Sequence, residues 1–504
     1  MAEKPIVFTR KASGLVRELG ITDVMAFLFA IVFGAGILMF APQGAVLFPG
    51  SSIPLAYLVI GFIMLPFVIA IGYMLTALPR TGGLYVTIAR SLHPTIGYMA
   101  GWLFYVAMGL IAGLICFVTI IVGEAAFARI GLHLPPWGIL VVALVMIFIF
   151  WGVNMLGIRV VKNITRVIVI IPFVVLLGIA IYMLTLGAEG GIATYDAIYG
   201  AGAMESIKAA AASAGWGFPA FSMMATVAAF AAVIFAYGGA EGIAALGGEM
   251  RANFRTIFWG LVGGFIVIII LYLITSNAAF SAFGEGVAAY TFLATNDPDA
   301  LAAIVPAVSP SVPYFMLSVI QNNWLAFTLG IAIMLWPLNS GLMLFTVANR
   351  FMFAFSFDRA VPEVFSKVSR RGAPTWASHL TLIFAIAGLL FIFYGVGPAL
   401  GIINMCLFQL YWLFGLSVMV LPFVRPDIAE RAPCGTKTMV GLGLYTFLIG
   451  WFFTGLAAKE LDVPMVFAFV IVLLIGFAFY LYQQNINKKK GIDISEIYRQ
   501  IPPE

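Results

Sequence analysis

The sequence predicts an all-α membrane protein of about 12 transmembrane helices, and two observations predict it: the composition and the long apolar runs. The 504 residues are 63% hydrophobic and 9% charged, whereas a soluble domain is roughly 45–50% apolar and about 25% charged. With a mean hydropathy of +1.09, the chain has too little polar surface to cover a water-soluble globule of this size. The composition excludes a soluble enzyme, a nucleic-acid-binding protein and a disordered chain.

Twelve apolar runs are long enough to cross a bilayer, which takes about 20 residues of helix. They are 21–48, 53–78, 95–127, 136–157, 163–186, 223–246, 256–280, 316–349, 376–396, 399–424, 438–458 and 463–483. No sizeable soluble domain fits between them. For the polar-leaning stretches 187–222 and 281–315, short surface helices, a cap over an entrance and a solvated connector all remain open.

Lysine and arginine concentrate on one side of this topology. With twelve spans, 23 of the 26 basic residues fall on the side that holds both termini, and only Arg129, Lys208 and Lys459 fall on the other. Cytoplasmic loops of membrane proteins carry an excess of basic residues. We therefore expect a multi-pass protein of the cell membrane with cytoplasmic termini, and we attribute the net charge of +5 to topology.

The first and sixth spans contain glycines near their centres, where each glycine weakens a helix by roughly 1 kcal/mol relative to alanine. Gly34 and Gly36 lie in the first span, and Gly238 and Gly239 lie in the sixth span, each pair after an apolar run that includes a phenylalanine. Interruptions at matching positions five helices apart predict repeats of helices 1–5 and 6–10, with helices 11 and 12 appended. The expected divisions are a cytoplasmic tail (1–20), the first repeat (21–186), an extracellular connector (187–222), the second repeat (223–424), helices 11 and 12 (425–483) and a cytoplasmic tail (484–504).

An unwound helix centre exposes backbone groups that carry partial charge, with free N–H groups starting the second half and free C=O groups ending the first half. The first span offers the N–H groups of Ala35, Gly36 and Ile37 to a carboxylate. The sixth span offers the C=O groups of Phe235 and Ala236 to an ammonium group or a sodium ion. Together they predict a site for a zwitterionic α-amino acid. The alternative is that the glycines only allow close helix packing.

A series of motifs resembles the amino acid permeases of the amino acid–polyamine–organocation (APC) transporter superfamily. The motifs are Gly34-Ala35-Gly36, Pro79-Arg80-Thr81-Gly82-Gly83-Leu84-Tyr85, Ala100-Gly101-Trp102, Asn154 with Gly157, Phe235-Ala236-Tyr237-Gly238-Gly239-Ala240-Glu241, Glu249-Met250-Arg251, Asn349-Arg350-Phe351 and Asp358-Arg359-Ala360-Val361-Pro362. Their order and spacing extend the resemblance over nearly the whole chain. It implies a five-plus-five inverted-repeat fold with broken helices 1 and 6, and secondary active transport by alternating access.

The resemblance also implies site residues at the matching positions. The residues expected to contact the substrate backbone are Val32, Gly34, Ala35 and Gly36, and those expected to line its amine side are Phe235, Ala236 and Gly238. Phe235 stands where an aromatic lid often covers the substrate. Many proton-coupled members carry a lysine in helix 5, but this chain has no lysine between Lys162 and Lys208. A mechanism based on that lysine is therefore not expected.

Three coupling modes remain open. Glu241 is an acid in a span interior, where a carboxylate usually has a function or a partner, so it is a candidate proton carrier; alternatively it caps unwound backbone in helix 6. A sodium site near Phe33, with Asn339 and Ser340 on helix 8, is a second candidate, although these two side chains also suit hydrogen bonds between helices. The third mode is exchange that needs no ion.

Small or apolar residues surround the proposed site: Ala35, Phe235, Ala236, Gly238 and Leu344. They favour a neutral amino acid, and a cationic amino acid or polyamine paired with Glu241 is the alternative. We expect no cofactor, and no bound metal apart from the candidate sodium site. A channel would require a polar pore and a sensor is expected to carry a soluble domain, so both are weaker interpretations. The sequence does not predict the oligomeric state.

Overall fold

The helical architecture is seen in a computed structural model that describes residues 14–395, 399–459 and 461–503. Within these ranges the chain is helical apart from loops and three isolated β-bridges. Eleven of the described helices are long and apolar enough to cross a membrane. The remaining predicted span, number six in chain order, is not among these eleven because it is broken into short helical pieces. The prediction of an all-α membrane protein is therefore confirmed.

The spans are labelled α1 to α12 in chain order. Their bounds are α1, Ile21–Val32 with Ala35–Leu47; α2, Ile53–Ala77; α3, Pro94–Phe127; α4, Pro136–Met155; α5, Ile158–Tyr199; α6, Met223–Ala228, Phe230–Val233, Ile234–Tyr237 and Ala240–Ile243; α7, Phe254–Phe283; α8, Asn323–Phe357; α9, Thr375–Phe393; α10, Ala399–Val424; α11, Thr436–Lys459; and α12, Val463–Lys489. Prolines begin α3 and α4 at Pro94 and Pro136, where the missing N–H breaks no helical hydrogen bond.

Two spans differ most from their predicted bounds. Helix α5, predicted at 163–186, continues to Tyr199, bending at Gly187 where φ is 62°. Part of the predicted connector 187–222 is therefore helical, as is its segment Ala203–Ser213. Helix α8, predicted at 316–349, runs from Asn323 to Phe357. It begins later because the Asn322 side chain accepts the Leu325 N–H at 2.9 Å, which forms an N-terminal cap.

The order of elements in the first half recurs in the second half. A broken helix and an unbroken helix are followed by short helices, which are Gly83–Ser91 after α2 and Gly286–Asn296, Pro298–Ala302 and Val312–Leu317 after α7. Next come helices of matching length, 34 residues in α3 against 35 in α8, and 20 in α4 against 19 in α9. This recurrence is what a fold of two repeats requires.

Polar contacts gather at the two ends of the bundle. At the end we call the basic side, Arg90 pairs with Asp358, and Arg350 pairs with Glu249. The helix Ile494–Arg499, within the predicted tail 484–504, packs at the same end through Tyr498, whose ring lies under Arg90. At the opposite side Arg129 donates to the Ile320 carbonyl at 2.6 Å. Most of the predicted tail 1–20, including Lys4, Arg10 and Lys11, lies outside the described residues.

Candidate functional site

Helix α1 is interrupted at Phe33 and Gly34. Gly34 has φ −148° and ψ −138°, and the helix restarts at Ala35. A Cβ at Gly34 would lie 3.1 Å from the Ser340 hydroxyl oxygen, so the unwound turn fits closely against α8. Gly36 has a different role, because it is helical and its missing Cβ would overlap the Ala236 backbone. Gly34 therefore belongs to the unwound turn, whereas Gly36 allows α1 to pack closely against α6.

Helix α6 is interrupted at Gly238 and Gly239. A 3₁₀ turn, Ile234–Tyr237, ends at Gly238, whose backbone is extended. Gly239 has φ 106°, a conformation that L side chains rarely adopt, and a new helical turn starts at Ala240. A Cβ at Gly239 would lie 3.2 Å from the Ile31 carbonyl oxygen. The two interruptions therefore cross in contact with each other.

A cavity of about 50 Å³ lies at this crossing. Its lining residues come from α1, α3, α6, α8 and α10: Ile31, Val32, Gly34, Gly36, Met108, Ile111, Ile115, Ile234, Phe235, Gly238, Gly239, Ser340, Leu344, Asn404, Leu407, Phe408 and Tyr411. None of these described lining residues carries a charge. The polar side chains among them are Ser340, Asn404 and Tyr411, so the cavity is mostly apolar with few hydrogen-bonding groups.

The structure brings most predicted site residues to this cavity. Those that line it are Val32, Gly34, Gly36, Phe235, Gly238, Leu344 and Ser340. Those that do not line it are Ile37, Ala236, Asn339 and Glu241, all of them buried. Of Ala35, only the helical backbone belongs to the described structure. Because the second half of α1 begins at Ala35, its first N–H groups have no preceding helical turn to bond.

The carbonyl groups expected to receive an amine already have partners. The Tyr272 hydroxyl, on α7, lies 2.7 Å from both the Val32 and the Ala236 carbonyl oxygens and shares its proton between them. The Phe235 carbonyl accepts the Gly238 N–H at 3.2 Å. The expectation of free carbonyls at Phe235 and Ala236 is therefore wrong in this conformation. An ammonium group can use only the second lone pair of each oxygen.

Two further buried tyrosines hold the interruptions in place. The Tyr57 hydroxyl donates to the Gly36 carbonyl at 3.2 Å, and the Tyr237 hydroxyl donates to the Tyr57 carbonyl at 2.7 Å. Sequence reasoning missed this cluster. A usable signal existed, since a tyrosine buried in an apolar span must find a hydrogen-bond partner, and backbone freed by an interrupted helix supplies one.

Glu241 lies at the start of the second part of α6 and is fully buried. Its Oε1 accepts the Gly239 N–H at 3.0 Å, so it caps the unwound backbone. Its Oε2 has no hydrogen-bond partner among the described residues, although the Tyr411 hydroxyl lies near the carboxylate. Glu241 does not line the cavity, but it contacts Gly239 and lies near Tyr411, both of which do.

Asn339 and Ser340, the two side chains of the candidate sodium site, have different hydrogen-bond partners. The Asn339 Oδ1 accepts from the Thr165 hydroxyl at 3.2 Å, on the α5 side of α8. The Ser340 hydroxyl donates to the Ile31 carbonyl at 3.4 Å, on the α1 side. A sodium ion needs several oxygens around one point, and these side chains face different helices.

Trp336 takes a structural position beside the cavity. It is fully buried, and its indole N–H donates to the Phe29 carbonyl at 3.0 Å. That carbonyl, in the last turn before the α1 interruption, also accepts the Phe33 N–H at 3.0 Å, so the indole N–H adds a second hydrogen bond to it. An uncharged donor therefore stabilises the carboxyl end of the first half of α1.

Charged networks close the basic side of the bundle. Arg350 donates to both carboxylate oxygens of Glu249, at 3.1 and 2.9 Å, with both side chains buried. In the second network, the Tyr85 hydroxyl donates to Asp358 at 2.8 Å. Burial by itself lowers the pKa of Arg90, but the Asp358 carboxylate outweighs burial and holds that pKa above its usual value.

The chain is similar in sequence to known amino acid and polyamine transport proteins. A family model described as amino acid permease matches residues 19–477. The chain is 24% identical to the glutamate/serine transporter AimA of Bacillus subtilis over 95% of this chain and 83% of that protein. It is 22% identical to the branched-chain amino acid permease BcaP of Bacillus subtilis over 96% of both chains. It is 25% identical to the low-affinity putrescine importer PlaP of Escherichia coli over 74% of both.

Proposed function

Since the chain belongs to the amino acid permease family, we propose that it is a secondary active transporter of neutral amino acids that works by alternating access. The observation that carries the proposal is the cavity at the crossing of both interrupted helices, whose described lining carries no charged side chain. The N–H groups that start the second half of α1 suit the substrate carboxylate. The remaining lone pairs of the α6 carbonyls suit its ammonium group.

The lining supports a neutral substrate side chain. Met108, Ile111, Leu407 and Phe408 supply apolar walls, and no described lining residue supplies an opposite charge. A charged substrate side chain would lose its hydration without gaining an ion pair, which costs several kcal/mol. A zwitterionic head group avoids this cost because its charges meet backbone dipoles.

A cationic amino acid or a polyamine is the second candidate. The putrescine importer among the relatives favours it, and Glu241 is the acid that would pair with the extra charge. The position of Glu241 speaks against it, because that carboxylate is not among the residues that line the cavity and its Oε1 is engaged by the Gly239 N–H. We therefore place the neutral class first.

Alternating access requires that each side open in turn. The basic side is held by Arg90–Asp358 and by Arg350–Glu249. The opposite side is held by Arg129, which donates to the Ile320 carbonyl. Transport in this proposal breaks one set of contacts while the other persists. The concentration of 23 of 26 basic residues supports a cytoplasmic basic side with both termini cytoplasmic.

For coupling we propose Glu241 as a proton carrier. Its Oε2 is buried and has no hydrogen-bond partner among the described residues, so this oxygen is available to bind a proton. The Tyr411 hydroxyl lies nearby. Sodium coupling would require Asn339 to turn from Thr165 towards α1. Exchange without an ion remains the alternative and makes a different prediction, since it needs no pH gradient.

Counterflow in liposomes tests the proposal. Purified protein is reconstituted, the vesicles are loaded with an unlabelled amino acid, and uptake of labelled serine, threonine, valine, leucine, lysine, glutamate or putrescine is measured. We expect accumulation of neutral amino acids that depends on the internal substrate. Accumulation of lysine or putrescine alone would establish the cationic alternative. Flux without stimulation from the opposite side would indicate a channel.

A further inference from the structure

Asn404 is a polar side chain in an apolar part of the cavity. It lies on α10, and its neighbours along the cavity wall include Ile234, Phe235 and Phe408. Its Oδ1 is buried and has no hydrogen-bond partner among the described residues. A buried amide oxygen without a partner is unfavourable for folding, so its presence requires a reason.

The position of Asn404 separates it from the head-group end of the site. On α10 the residues that line the cavity are Asn404, Leu407, Phe408 and Tyr411, a spacing that places them on one helical face. Tyr411 lies beside Gly238 and near Glu241, at the interrupted backbone. Seven residues of helix span about 10 Å. Asn404 therefore lies about two helical turns from the end where backbone groups receive the zwitterion.

The space next to Asn404 is also apolar. It borders a second cavity of about 20 Å³ whose other lining residues are Ile234, Phe235, Phe408, Phe453, Leu456 and Ala457. No hydrogen-bonding side chain other than Asn404 lines that cavity within the described chain. A polar group on the side chain of a bound substrate would thus supply the hydrogen-bond partner that the Asn404 amide lacks.

We propose that Asn404 is a specificity-determining residue that hydrogen-bonds the side chain of a neutral polar amino acid, one that carries a hydroxyl or carboxamide group. This inference rests on the proposed transport of neutral amino acids and narrows its substrate class. Apolar walls accommodate the carbon atoms of the side chain, and the amide satisfies one polar group. An isosteric apolar substrate leaves Asn404 unpaired, and a site with an unpaired polar group rejects such a ligand.

Threonine and valine test this directly, because they have nearly the same shape and differ by one hydroxyl group. In liposomes, the wild-type protein should transport threonine at least about tenfold more efficiently than valine. Asparagine and leucine form a second pair with the same expected order. In Asn404→Leu, threonine efficiency should fall to that of valine, while valine transport persists.

Gln409→Leu is the matched control, because it makes a similar polar-to-apolar change on α10 at a residue that does not line the central cavity. It should keep the threonine preference. If Asn404→Leu does not fold, the test uses the melting temperature of the detergent-solubilised wild-type protein instead. We expect added threonine to raise the melting temperature more than added valine does.

The outcomes separate this inference from the proposed function. Equal transport of threonine and valine by the wild-type protein, or an unchanged ratio in Asn404→Leu, overturns the role of Asn404 and leaves neutral amino acid transport standing. If the wild-type protein transports no neutral amino acid, the proposed function fails and the role of Asn404 fails with it.

Discussion

Arg90 and Asp358 form a buried bidentate ion pair that ties the short helix after α2 to the end of α8. The Arg90 Nη2 donates to Asp358 Oδ1 at 2.8 Å, the Nη1 donates to Oδ2, and the two side chains are 0% and 2% exposed. The Tyr498 ring lies 5.0 Å from the guanidinium carbon, so the carboxyl-terminal segment covers the pair. Three parts of the chain that are distant in sequence thus meet at one contact on the basic side.

Asp358→Asn should destabilise the folded protein by about 3–5 kcal/mol, because it leaves the Arg90 charge buried without its partner. The measurement is thermal or denaturant unfolding of the purified protein in detergent. Asp427→Asn is the control, since the Arg425–Asp427 pair is partly exposed, with Asp427 52% exposed, and an exposed pair contributes about 0–1 kcal/mol. Equal losses in the two variants would mean that the Arg90 pair is not specially stabilising.

Gly36→Ala should abolish transport and lower stability. An added methyl group at Gly36 would overlap the Ala236 backbone, so the two interrupted helices would have to separate at their crossing. The measurement is amino acid counterflow together with the melting temperature. Gly178→Ala on α5 is the control, because nothing lies within 4 Å of its added Cβ and alanine favours a helix over glycine. Normal transport by Gly36→Ala would show that the crossing is looser than described.

Tyr272→Phe should reduce transport while the protein still folds. The change removes the hydroxyl that joins the Val32 and Ala236 carbonyls, and a typical hydrogen bond contributes about 0.5–1.5 kcal/mol to stability. Counterflow and melting temperature are measured side by side. Tyr445→Phe removes a comparable hydroxyl-to-carbonyl bond, to Ile63 at 2.8 Å, away from the cavity. Equal effects of both variants on transport would show that the Tyr272 hydroxyl has no specific role at the site.

Much of the fold was predictable because lipid imposes simple rules on sequence. Apolar runs of sufficient length located the spans, and glycines within them located the interruptions at Gly34 and at Gly238–Gly239. The extension of α5 beyond Gly187 was not predictable from hydropathy, since the residues that follow are more polar but still helical. Gly36 shows the limit of the glycine signal, because the same residue type serves unwinding at one position and packing two residues later.

The cavity wall was harder to predict than the interruptions. Helices α3 and α10 contribute Met108, Ile111 and Phe408, and apolar residues in an all-apolar span give no indication of which face is inside. Asn404 carried a signal, as a polar residue within an apolar run. The hydrogen bonds of Tyr272 depend on how α7 packs across α1 and α6, which no local sequence pattern contains.

Glu241→Gln should make transport independent of pH while the protein still folds. The glutamine side-chain carbonyl can still accept the Gly239 N–H that Glu241 Oε1 accepts at 3.0 Å, so the cap on unwound backbone is kept. The Oε2, which has no hydrogen-bond partner among the described residues, is replaced by a group that cannot bind and release a proton. Uptake is measured in liposomes across a range of external pH, with and without an imposed pH gradient.

Tyr411→Phe is the companion variant, and it should retain pH dependence because the carboxylate remains. If Glu241→Gln still accumulates substrate in response to the pH gradient, the carboxylate serves only as a cap and the coupling proton binds elsewhere. If neither the variant nor the wild-type protein responds to the gradient, transport is not proton-coupled, and repeating the uptake in sodium-free buffer separates sodium coupling from exchange.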